Sequence, residues 1–142
     1  RMEIEKVAVK KAIKYITVEE LKALDDNLEQ TQAVIRSGEE FELTELDAGF
    51  HAIIHTAARS RSLYRICKNL GDMTIKYRHG LNLVPGLRNQ MLQHHIDIYQ
   101  ALLTKDEKKA VAAVEIHSKK ACEQILVMMK KVRSDSFSLE EY

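Results

Sequence analysis

Apolar residues recur at three- and four-residue intervals along almost the whole chain, and β-branched alternation never lasts more than a few residues. That pattern predicts helices rather than strands. Breakers are scarce, with five glycines and a single proline, Pro85. The first helix is expected over roughly residues 1 to 15, with Ile4, Val7, Ala8 and Ala12 as its stripe. The second starts at Thr17, where Thr-Val-Glu-Glu reads as a capping box with Thr17 as N-cap and Glu20 reaching back, and it stops near Gly38. A third runs from about Glu42 to Ala58 on Leu43, Phe50, Ile54 and Ala57. Asp47 and His51 lie on the shoulder of that stripe, and His55 turns further out.

A fourth helix is expected from Ser60 or Ser62 to about His79, carrying Leu63, Ile66, Cys67, Leu70, Met73 and Tyr77. Gly80, Asn82, Pro85 and Gly86 then read as a loop. The fifth helix, Leu87 to Leu103, steps by four, three and four through Met91, His95, Ile98 and Leu102, which puts His95 inside the stripe. His94 falls about 100° away, on the flank. Asp106 caps a sixth helix that reaches about Arg133 through Ala110, Val114, His117, Ala121, Ile125, Met128 and Val132, followed by a polar, frayed tail. The expected fold is therefore an all-α antiparallel helical bundle of about six helices, or seven, according to how residues 80 to 90 divide.

Composition narrows the picture. A chain of 142 residues that is 45% hydrophobic makes one domain with a real core. The 22 basic and 21 acidic side chains leave a formal charge of +1, and the two signs are interleaved, so a basic nucleic-acid footprint is absent. Cys67 and Cys122 lack metal-site or redox spacing and read as packing residues in a reducing, cytoplasmic setting. No apolar run approaches the ~20 residues that span a bilayer, so no membrane partner is expected. The opening RMEIEKVAVKKA is helix-like with no methionine at position 1, as expected of a fragment of something longer.

The chemistry lies in four residues on three helices. Asp47 and His51, four apart, leave one helix face a turn apart. His95 and His117 point inward from later helices and can join them if the bundle faces meet. One carboxylate and three neutral imidazoles suit a divalent ion, zinc first, then nickel, iron or manganese. A histidine on an apolar stripe also fits a hydrogen-bonded core residue, and spacing alone leaves both readings open. His55 and His94 read as peripheral, and His79 as marking a helix end.

These residues resemble a known family. The run Leu46 to His51 is similar to the D-x-x-F-H signature of the FCD domain, the effector-binding domain of GntR-type bacterial transcription regulators of the FadR subfamily. His95, Ile98, Ala101, Asp106, Ala110 and His117 stand in register with its second half, and Arg1, Ile4 and Glu5 resemble its first helix. The resemblance covers almost the whole chain. Its specificity lies in the joint spacing, with the two further histidines 44 and then 22 residues on from His51.

The resemblance implies a ligand-sensing and dimerisation domain, spanning residues 1 to 142, of a transcription regulator. Asp47, His51, His95 and His117 would hold the metal at the floor of a pocket, and a small carboxylate or hydroxycarboxylate effector would complete its coordination. A homodimer is implied, with operator DNA gripped only by an N-terminal winged helix-turn-helix domain absent from this chain. Arg78 and Arg88, flanking the loop before the His95 helix, are candidates to pair with the effector carboxylate. Two departures stand out. The family often has Glu where this chain has His94, making His94 an alternative metal ligand, and Ser60 replaces a frequent Asn. The rival class is a metal-dependent helical-bundle enzyme of hydrolase type, but no H-E-x-x-H or Glu-x-x-His pair occurs.

Overall fold

The computed structural model describes the backbone of residues 1–139 and the side chains of residues 1–134. Six helices follow one another: α1 (Met2–Tyr15), α2 (Val18–Ser37), α3 (Leu43–Ala57), α4 (Arg61–Asn82), α5 (Pro85–Leu103) and α6 (Glu107–Leu139). One 3-10 turn, Glu40–Glu42, leads into α3. No strand occurs among the described residues, and no helix there is long and apolar enough to cross a membrane.

Helix α3 packs against α1, α2 and α4, while α5 and α6 pack on each other and close the bundle against α2 and α1. The largest fully buried side chains, Phe50, Leu24, Ile98, Leu102, Val9 and Cys67, come from five of the six helices. Burying apolar surface from all of them at once is what fixes their mutual positions.

Local chemistry sets the helix ends. Thr17 Oγ1 accepts from Glu20 N at 3.1 Å and Glu20 Oε2 accepts from Thr17 N at 3.0 Å, completing the expected capping box. The same carboxylate accepts from Arg59 Nη1 at 2.6 Å and Nη2 at 2.9 Å. Arg59 sits in the left-handed region, φ 52°, at the turn between α3 and α4. One glutamate thus caps α2 and pins that turn. Gly38, φ 77°, ends α2 in the left-handed conformation that glycine adopts without strain. Asp106 Oδ1 accepts from Lys109 N at 3.0 Å, the N-cap expected for α6.

Several expectations shift. On α1 the buried set is Glu5, Ala8, Val9, Ala12 and Ile13, and Val7 is exposed, so the inward face is rotated and includes an acid. On α4 the inward side chains are Leu63, Cys67, Arg78, Leu81 and Asn82, whereas Ile66 and Met73 face outward. Helix α4 also continues through the supposed loop to Asn82. Only Leu83 and Val84 separate it from α5, where Pro85 occupies the first turn that tolerates a missing N–H. His79 consequently lies within α4, with Nδ1 3.0 Å from Thr44 Oγ1. Cys122, read as a packing residue, is exposed. Helix α6 runs through the supposed tail to Leu139, and residues 140–142 lie outside the described residues.

Replacing Thr17 with Ala should lower the unfolding free energy by about 1 kcal/mol, the usual loss for an N-cap hydroxyl. Urea titration would show a lower midpoint at unchanged slope. An unchanged midpoint would mean that the Arg59 clamp holds this end without the cap.

Candidate functional site

Helix α3 presents Asp47 and His51 one turn apart, α5 presents His95 and α6 presents His117. All three histidines are buried, and Asp47 is nearly so. One donor atom from each of the four lies within 4.8 Å of the others. The rings meet with centroid separations of 5.0 Å for His51 and His95, 5.1 Å for His51 and His117, and 4.8 Å for His95 and His117. Phe50 stacks parallel to His95 at 4.2 Å and fixes the plane of that ring.

Hydrogen bonding does not account for this cluster. His51 Nε2, His95 Nε2 and His117 Nδ1 are buried and have no hydrogen-bond partner. Asp47 Oδ1 is 3.4 Å from His95 Nε2 and 3.7 Å from His51 Nε2, close but not aligned as a hydrogen bond. A buried polar atom left unpaired costs about 1–3 kcal/mol, so three unpaired ring nitrogens gathered around Asp47 form an arrangement that a cation would satisfy. The residues present fit such a group: one carboxylate oxygen and three neutral imidazole nitrogens are the donors of a divalent transition-metal site.

Electrostatics keeps these donors ready. Burial, reinforced by His51, holds His95 down at about 3, and burial followed by His95 and His51 holds His117 well below the usual histidine range. Burial acts to raise the Asp47 carboxyl, but His51, His95 and the adjacent Arg78 guanidinium outweigh it and keep the group ionised. Arg78 Nη1 donates to Asp47 Oδ2 at 2.6 Å, so one carboxylate oxygen is held by α4 while the other faces the imidazoles.

A cavity of about 260 Å³ opens beside the cluster between α1, α3 and α4. His51 and Arg78 form its inner wall, with Arg1, Glu5, Tyr64 and Asp72 around it. Of the two arginines read from the sequence as effector contacts, the structure brings Arg78 to this cavity. Arg88 does not line this cavity; it pairs with Glu40 through Nη1 and borders a much smaller hollow of about 20 Å³ that Asp47 and His95 also line. His94 lines an outer groove between α5 and α6 with Asp97, Gln100 and Lys109, and its donors are not among the four that converge.

A second polar group escaped the sequence reading. His55, expected on the periphery, is buried, and its Nε2 lies 2.8 Å from Glu5 Oε2. Burial would raise Glu5, but the His55 hydrogen bond, followed by the neighbouring His51 and Arg1 side chains, brings it down to about 2. Cys67 stands beside the pair, its thiol pushed up to about 11 by burial and then by Glu5. The available signal was Glu5 itself, an acid spaced three and four before Ala8 and Val9 on the buried face of α1.

The FCD domain family model matches residues 1–120. A longer relative, described as an uncharacterized HTH-type transcriptional regulator, YdhC, of Bacillus subtilis, is 28% identical over 127 residues, covering 88% of this chain. This chain spans only 56% of that protein. Among solved structures, McbR/YncC of E. coli superposes with a TM-score of 0.78 at 19% identity, over 92% of this chain and 65% of that one. At that identity the likeness speaks for the fold.

Acid should destabilise the metal-free domain in a defined window. An unfolded histidine takes up a proton near pH 6.5, while His95 in the fold resists until about 3. Between these values the unfolded state binds the extra proton, so stability is full above about 6.5 and falls as pH drops, by up to about 1.4 kcal/mol per pH unit for this one group. The difference in unfolding free energy between the wild type and His95→Gln, measured by urea titration from pH 7 to 4.5, should narrow at that slope. A constant difference would mean that His95 takes up its proton as readily in the fold as in the unfolded chain.

Proposed function

Because the chain belongs to the FCD domain family, we propose that it is the sensing domain of a GntR-type transcription regulator, holding a divalent metal and a small carboxylate effector. The observation that carries this reading is the cluster of Asp47 with three buried histidines, each with an unpartnered ring nitrogen, whose donor atoms lie within 4.8 Å of one another. Asp47, His51, His95 and His117 would hold the ion, with zinc the first choice for these donors and nickel, iron or manganese compatible with them. When bound, the metal would supply a Lewis-acidic centre for an anionic oxygen at the cavity.

The chain's own residues define the rest of the pocket. Arg78 lies at the cavity wall, nearly buried, with its guanidinium already beside Asp47. Its remaining N–H groups suit a carboxylate, and burial strengthens such a pair relative to one in water. The 260 Å³ cavity is of small-acid size, below the range of roughly 300–1,000 Å³ for drug-sized ligands. Hydroxycarboxylates and dicarboxylates offer the second oxygen that the polar wall could receive.

The matched family and the HTH-type relative are transcription regulators, not enzymes, which removes the hydrolase alternative. We assign operator binding to a winged helix-turn-helix domain of the full-length protein. Dimerisation is part of the same proposal. The outward α4 side chains Ile66 and Met73, 46% and 74% exposed, form an apolar face that a second copy could cover. Sedimentation giving a strict monomer at high micromolar concentration would count against it.

Elemental analysis of the metal-loaded domain should show that His95→Ala and His117→Ala lose the ion bound by this cluster while retaining helical circular dichroism. Small hydroxycarboxylates should raise the melting temperature of the metal-loaded form much more than that of the chelated form, since a ligand stabilises whichever state binds it. Arg78→Met should blunt the response and Arg88→Met should leave it intact. Full metal retention at this site in both histidine variants would sink the metal reading, and equal thermal shifts with and without metal would sink direct coordination of the acid.

A further inference from the structure

Glu5, His55 and Cys67 come from α1, α3 and α4, and all three are buried. Their donor atoms, a carboxylate oxygen, an imidazole nitrogen and a thiol sulfur, lie within 4.8 Å of one another. The same three residues line the 260 Å³ cavity. Cys67 is 1% exposed, and no hydrogen bond engages its sulfur among the described residues.

The trio repeats the design of the first cluster. At Asp47, one oxygen faces the imidazoles and the other is held by an arginine. At Glu5, Oε2 meets His55 and Oε1 accepts from Arg1 Nε at 3.3 Å, while Arg1 Nη1 also donates to Thr74 at 3.2 Å. A carboxylate steadied through its second oxygen is the usual partner arrangement of a metal ligand. A simple buried acid–histidine pair explains the 2.8 Å contact but gives no role to the sulfur beside it.

We propose that Glu5, His55 and Cys67 form a second cation site, separate from the Asp47 cluster, that takes a zinc-type divalent ion through one oxygen, one nitrogen and one sulfur. Bonds of roughly 2.0–2.3 Å in a tetrahedral site set donor atoms roughly 3.5 Å apart. The present spacing needs only a small contraction around the sulfur and a small opening of the Glu5 to His55 contact. On binding, the thiol proton passes to solvent and the His55 proton moves from Nε2 to Nδ1, so that a thiolate, a neutral imidazole and the Glu5 carboxylate become the three donors. The fourth position then belongs to water or to a guest in the cavity. Thiolate makes this the softer of the two sites, favouring zinc over manganese or magnesium. His51 and His55 are neighbours on α3, with ring centroids 6.1 Å apart, so both sites would border one wall of the same cavity.

Cobalt(II) and zinc(II) serve as probes, in a Cys122→Ser background that leaves Cys67 as the only thiol. Cobalt loading should produce a thiolate-to-metal charge-transfer band in the near ultraviolet. That band should persist in His95→Ala, which breaks the first cluster, and vanish in Cys67→Ser. Elemental analysis after zinc loading should give two ions per chain in the Cys122→Ser domain and one when Cys67→Ser or His55→Gln is added. A single ion with the charge-transfer band would retain this proposal while refuting the Asp47 site. Absence of the band from the folded Cys122→Ser domain, a reading that needs no further variant, would overturn it, as would full zinc and cobalt occupancy in Cys67→Ser.

Discussion

The pairing of Asp47 with Arg78 is the constraint around which the interior is organised. A carboxylate taken out of water is tolerated only if charge and hydrogen bonding follow it. Arg78 supplies both from α4, reaching Asp47 on α3 at 2.6 Å. With one oxygen so held, the other is directed at a space bounded by rings from three helices. Removing Arg78 would leave an uncompensated charge beside the imidazoles of His95 and His117, which burial keeps neutral. The pair therefore links the packing of α3 on α4 to the electrostatics of the whole cluster.

Around that pair the apolar core performs a positioning task. Phe50, fully buried, stacks on His95, while Ile98 and Leu102 on the same face of α5 fix its rotation. Ala110 and Val114 do the same for α6 ahead of His117. A helix anchored on its apolar face has little freedom to roll, so donors carried on that face keep their aim. The short connection between α4 and α5 adds to this, because two residues leave little room for one helix to move without the other.

Much of this was legible in the chain. Asp47 and His51 were identifiable as one turn of a helix, and His95 and His117 as interruptions of apolar stripes, because helical period converts spacing directly into direction. The caps at Thr17 and Asp106 were readable for the same local reason. What stayed hidden depends on partners distant in sequence. His55 looks peripheral until Glu5 of α1 is packed against it. Arg78 and Arg88 are indistinguishable until α4 and α5 are placed, when one meets Asp47 and the other Glu40. On α4 several apolar residues compete to define the inward face. The choice of Cys67 and Leu81 over Ile66 and Met73 is made by neighbouring helices, not by local pattern.

The cap at Asp106 and the ring of His117 stand eleven residues apart on α6, close to three whole turns, so both ends of this stretch are tied to fixed places in the bundle. Side chains on its outer face can be exchanged at small energetic cost. Its length cannot, because one residue added or removed would turn His117 by about 100° while leaving a sound helix behind. Divergence in this stretch should therefore proceed by substitution alone, and insertions and deletions should be confined to segments whose angular phase nothing reads.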